Sequence, residues 1–203
     1  RIVWAVGYYT DVSYFVPRVE IAGKGAFENA RFEARSKGIN RLVEWMWDDN
    51  PFSGTNELQG LKVLLALLDN WNLKNENTKL LFVREDEAAR SELRYIISDF
   101  DVKFDRTGGS PSVWHAPPIK PAAARFIDKV KDNLIDFGYA GKHKDRLGGI
   151  TIAQAKWIGS WLARLSDGQL RDALRAGNYG PDQIPFLEKA LRSRINELIH
   201  LAK

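Results

Sequence analysis

The sequence predicts an α+β chain that becomes largely helical in its second half, and three features predict it. Leu58, Leu61, Leu64, Leu65 and Leu68 fall at i, i+3, i+4 and i+7 spacing, the stripe of an amphipathic helix. Residues 79–83 and 93–97 are apolar, β-rich runs on either side of a charged connector, the pattern of a hairpin with a long exposed loop. Beyond residue 121, Thr151, Ser166 and Pro181 each stand where a helix would start. The 203 residues are 44% hydrophobic, enough for one ordinary domain with a full-sized core.

Residues 1–7 read as the tail of a helix closed by Gly7. Arg1 opens directly into apolar residues, whereas chain ends are usually polar and frayed, so further sequence upstream is expected. Residues 8–21 carry Tyr14, Phe15, Val16, Val19 and Ile21 and read as one or two strands, Pro17 marking an edge. Gly23-Lys24-Gly25 is a turn with Lys24 at the surface, and the remainder of a phosphate loop is missing around it. Residues 28–53 read as irregular, with Trp45 and Trp47 pinning a loop to the core. Thr55 or Asn56 caps the leucine helix, and a polar loop, 69–77, comes after it. Residues 107–121 read as a loop, 122–131 as a helix and 134–139 as extended chain. Helices are expected over 152–165, 167–176 and from Pro181 to about residue 202. Ser166 and Gln169 form a capping box, and Trp157 and Trp161 are packing residues.

Composition excludes several classes. There is no cysteine, which removes disulfides, thiolate catalysis and cysteine-ligated metals. His115, His143 and His200 are scattered without a zinc-ligand spacing. A net charge of +4 suits an anionic ligand such as a nucleotide but lacks the concentrated basic face of a nucleic-acid binder. The longest apolar run, residues 61–68, is far too short to span a membrane. The stretch 142–146 reads as a solvated turn where an anionic acceptor could dock. Asp48 and Asp49 are adjacent, and neighbours in sequence seldom converge on one substrate as a glycosidase pair. A monomer is expected; compartment is left open.

Residues 54–101 carry the chemistry. Helix, polar loop, hairpin and an Asp-containing turn form the order that metal-dependent phosphoryl transfer needs. The loop offers a base and an amide, and the hairpin returns a second carboxylate toward the same metal. Taken singly, Asn72 and Asn77 read better as turn-forming loop residues and Asp99 as a strand-end turn former; the helix–loop–hairpin frame brings the two readings level.

Asn72-Leu73-Lys74-x-x-Asn77 resembles the D-L-K-x-x-N catalytic loop of the protein-kinase-like superfamily, and Asp99-Phe100-Asp101 resembles its D-F-G turn. Gln59-Gly60-Leu61-Lys62, Asn70-Trp71-x-Leu73-Lys74 and Tyr95-Ile96-Ile97-Ser98-Asp99 are more narrowly similar to a group of uncharacterised bacterial kinase-like proteins. These are distant relatives of HipA-type and phosphatidylinositol kinases. Asp136-Phe137-x-Tyr139, Leu165-Ser166-Asp167 and Ala173-Leu174-Arg175-Ala176 resemble the C-terminal helices of that group, so the likeness covers most of residues 40–200.

The resemblance implies a mostly helical C-terminal lobe over residues 28–203 and a remnant of the N-terminal lobe over 1–27. It implies Mg and ATP as cofactors, Asn77 and Asp99 as metal ligands, and Lys74 as the contact to the transferred phosphate. Asn72 occupies the place of the catalytic Asp. An amide cannot accept the hydroxyl proton, a loss of about 10²–10⁴-fold for a positioned base. Asp69, three residues earlier, is the alternative carboxylate. Asp101 stands where the turn has glycine. The implied activity is therefore a degenerate or truncated phosphotransferase, or a pseudokinase-type binding module without turnover.

Overall fold

The computed structural model describes residues 1–202 apart from 36, 71–72, 85–90, 99–125 and 139–141. The expected loop at 107–121 lies outside the described residues. A short helix α1 (Ile2–Ala5) ends at Gly7, whose φ of 95° is the left-handed geometry expected of it. Strands β1 (Ser13–Ile21) and β2 (Gly25–Glu33) then form a long two-stranded ribbon around the Gly23-Lys24-Gly25 turn. Both strands of a two-stranded ribbon are edges, so Pro17 withholds no N–H that a third strand would need. Its position in the register faces Asn29, itself left-handed at φ 51°.

β2 corrects the irregular reading of residues 28–53, and so does β3 (Ile39–Arg41). The ribbon is open to solvent on both faces, so β2 has no buried side to impose the apolar–polar alternation by which strands are recognised. β2 also runs without interruption across residues 27 and 28.

β3 pairs with β4 (Thr78–Arg84), which pairs with β5 (Ser91–Ile97), giving an antiparallel sheet in the order β3-β4-β5. The hairpin expected over 79–83 and 93–97 is therefore present. The helix expected over 122–131 is not: Ile127–Lys131 is strand β6, paired with β7 (Leu134–Phe137). Phe126, Ile127 and Val130 mimic a helical stripe. The deciding pair is Asp132-Asn133, at φ 51° and 65°, which closes a two-residue hairpin between Lys131 and Leu134.

The core is helical. α2 (Asn56–Leu67) is capped by Thr55, whose hydroxyl accepts the Leu58 N–H at 3.2 Å. α3 (Ile152–Leu162) and α4 (Asp167–Ala176) each begin with a complete capping box, Thr151 with Gln154 and Ser166 with Gln169. α5 (Ile184–Ile199) begins later than Pro181, with Pro185 in its first turn. α2 lies against α3 and α5, and its residues from Leu61 to Leu68 are all buried.

Close approach explains two glycines. A Cβ on Gly60 would stand 2.7 Å from the Trp157 ring and 2.9 Å from the Tyr8 hydroxyl, which donates to the Glu57 carbonyl at 2.8 Å. A Cβ on Gly159 would stand 2.8 Å from Cβ of Leu198, where α3 crosses α5. The first neighbours are the ends of side chains, whereas the second is fixed to a helix backbone. Gly159→Val is therefore expected to force the two helices apart and cost about 1–3 kcal/mol, the range for overpacking. A denaturant midpoint equal to that of the unaltered chain would contradict this packing.

Candidate functional site

α2 carries the chain into the candidate site, and the close of that helix fixes the direction of the loop beyond it. The Asp69 N–H bonds to the Ala66 carbonyl at 3.1 Å and the Asn70 N–H to the Leu65 carbonyl at 2.9 Å. These are the two bonds of a Schellman close, with Asp69 in the left-handed position at φ 53°. Arg194 of α5 adds a third partner by donating to the Leu67 carbonyl at 2.6 Å. Asp69 thus has a backbone role. Burial pushes its carboxyl above the ordinary value of 3.8, against the pull of Arg194.

Asn72, expected at the base position, lies outside the described residues. The loop beyond it is held from several sides. Arg146 donates to the Leu73 carbonyl, and the Trp47 indole donates to the Lys74 carbonyl at 3.3 Å. The Trp47 N–H reaches the Asn75 side-chain oxygen at 3.3 Å. A 3-10 turn, Asn75–Asn77, comes next, and buried Thr78 donates its hydroxyl to the carbonyls of Trp45 and Asn75. Trp45 and Trp47, with ring centroids 4.8 Å apart, are core residues and not a stacking shelf. Lys74 is half-buried, and its ammonium makes no ion pair among the described residues.

Asn77 stands at the head of β4, and the Ser98 N–H donates to its carbonyl at 2.8 Å. The bond continues the register Thr78↔Ile97, in which the residue before β4 faces the residue after β5. Asp99 is the next residue in the chain and lies outside the described residues.

Ser98 also belongs to a charged network that the sequence did not signal. Its hydroxyl donates to Asp11, and Arg41 reaches Asp11, Glu33 and, at 3.3 Å, the Ser98 hydroxyl. Burial first, and then the neighbouring Asp11, hold the Glu33 carboxyl above its usual range. Asp11 and Glu33 line a cavity of about 320 Å³ between α1, the base of the ribbon and the end of α4, with Phe15, Leu174 and Tyr179 among its walls. Four separated places in the chain build the network, so no local motif marks it.

A second unforeseen group flanks the loop on the other side. The reading of residues 142–146 as a solvated turn fails for Arg146. Its side chain is only 12% exposed, and its Nε stands 3.5 Å from Asp48. Beside them Lys62 of α2 is buried. One signal did exist for it, since Lys62 sits four residues after Leu58, on the stripe that packs inward.

Among the described residues no group of three His, Asp or Glu side chains could hold a metal. Magnesium is commonly held by one or two carboxylates together with substrate phosphates, so such a group is not a requirement for binding it. No helix among the described residues is long and apolar enough to cross a membrane. Comparisons of the chain with protein-family models, curated proteins and solved structures found no match.

The Asp69 environment gives a signed pH dependence. A carboxyl whose native pKa is raised stabilises the fold most below its unfolded value, and that contribution is lost as pH rises through the native value. Asp69→Asn, which tolerates the left-handed backbone, is expected to raise stability at neutral pH, with the gain fading below about pH 4. Relative to Asp69→Asn, Asp69→Val is expected to lose about 1–2 kcal/mol at every pH through the left-handed strain. Urea melts of both variants between pH 3 and 8 check this; a pH-independent Asn gain would contradict it.

Proposed function

We propose that the chain is a kinase-like phosphotransferase module in degenerate form, which binds Mg-ATP between the loop after α2 and the turn after β5. In this reading α1 and the β1–β2 ribbon belong to a partial N-terminal lobe, and the remainder is the C-terminal lobe. The observation that carries it is the Ser98–Asn77 hydrogen bond, because the next residue along the chain is the carboxylate Asp99. Asn77 and Asp99 would hold the magnesium, which would neutralise phosphate charge, and Lys74 would contact the phosphate that moves. The pinned backbone of residues 73–78 supports this, since phosphoryl transfer depends on positioning more than on covalent chemistry.

Asn72 favours a second reading within the same site. Its amide cannot act as base, so the cleft would bind nucleotide without turning it over. Two measurements separate the possibilities. ATP with magnesium is expected to raise the melting temperature, by the equivalent of about 2.7 kcal/mol at a hundredfold excess over Kd, and Asn77→Ala is expected to lose the magnesium-dependent part. No shift with either would contradict both readings. Asn72→Asp is then expected to raise ATP turnover by about 10²–10⁴-fold if a phosphotransferase site is otherwise intact. Unchanged turnover with intact binding would select the binding module.

A further inference from the structure

We propose that Lys62 and Arg146 form a binding site for a phosphate-type oxyanion on the flank of the loop after α2. Lys62 is the one charged residue among the buried described residues, at 7% exposed, and it makes no hydrogen bond among them. The stem is covered while the ammonium keeps an outlet to solvent, since Nζ is not one of the fully buried side-chain atoms without a partner. The carboxylate within electrostatic reach is Asp48, which Arg146 already engages at 3.5 Å. The cluster therefore holds two cations and one carboxylate.

The geometry suits an incoming anion. Arg146 commits Nη1 to the Leu73 carbonyl and Nε to Asp48, which fixes its guanidinium plane and leaves Nη2 without a hydrogen bond among the described residues. A fixed guanidinium beside an ammonium is the pairing that recognises phosphate, one as a planar fork and the other as a point charge. The Asp48 side chain is 65% exposed, so the cluster opens to solvent on that side, and the carboxylate can swing aside for a ligand carrying more negative charge. Burial lowers the Lys62 pKa, with Asp48 opposing and Arg146 adding to the effect, so the ammonium gains from a second negative charge. The ligand class is a phosphate monoester or the phosphate of a nucleotide. The site uses neither Asn77 nor Asp99 and stands apart from the magnesium-dependent reading.

The test is a titration of the full chain with inorganic phosphate, without magnesium and against chloride at matched ionic strength, monitored by amide NMR. Saturable shifts are expected at residues 62 and 73–75. Lys62→Met is expected to weaken binding at least tenfold, and Lys62→Arg to retain it, which covers the case in which the Met variant does not fold. Asp48→Asn is expected to tighten binding severalfold, because the competing carboxylate is gone, whereas an ion cluster with a purely structural role would gain nothing. A parallel titration with ATP, again without magnesium, separates the sources. Tighter binding through the same residues identifies a nucleotide phosphate, and equal affinity identifies a simple monoester. Absence of saturable binding, equal affinity in Lys62→Met, or weaker affinity in Asp48→Asn would overturn the proposal.

Discussion

The clamp on residues 73–78 is the constraint on which the rest of the site depends. Neighbours distant in sequence hold this short loop. Trp45 and Trp47 reach it from the segment before α2, Arg146 from beyond β7, and Ser98 from the end of β5. Arg146, the Trp47 indole and Ser98 each donate to a backbone carbonyl of this stretch, while Asn75 and Thr78 add side-chain bonds to Trp47 and Trp45, and the Lys74 ammonium makes no ion pair among the described residues. The Schellman close at Asp69 adds the entry angle. A polar loop of this length would otherwise lose too much conformational entropy to hold a fixed shape.

Much of the fold was legible because it rests on local signals. Thr55, Thr151 and Ser166 announce their helices by capping, and the stripe from Leu58 to Leu68 gives α2 its direction. The misread elements are those without an unambiguous local signal. β2 pairs in a ribbon exposed on both faces, so nothing enforces alternation along it. β6 carries a false helical stripe, and only the paired left-handed residues Asp132 and Asn133 reveal the hairpin. Arg146 looks solvated in a run of basic residues because its partners, Leu73 and Asp48, are remote in sequence.

The candidate site divides in the same way. The helix–loop–hairpin frame could be read from spacing, and the register that brings Ser98 to Asn77 is a consequence of it. Apart from the place of Lys62 on the inward stripe of α2, the charge around the frame could not be read. Asp11, Glu33 and Arg41 gather beside Ser98 on one flank, and Lys62, Asp48 and Arg146 beside Leu73 on the other. Asp69 illustrates the limit of residue type alone. A carboxylate near the base position suggested chemistry, while the backbone assigns it the left-handed closure of a helix, where Asp and Asn are among the few side chains tolerated.

The most direct test of the proposed metal site is paramagnetic broadening. With Mn²⁺ in place of Mg²⁺ and ATP present, the amides of Asn77, Thr78, Ile97 and Ser98 are expected to lose intensity first and most, and Asn77→Ala to abolish the effect. Broadening centred elsewhere in the chain, or none at all at saturating nucleotide, would contradict a cation held between the head of β4 and the turn after β5.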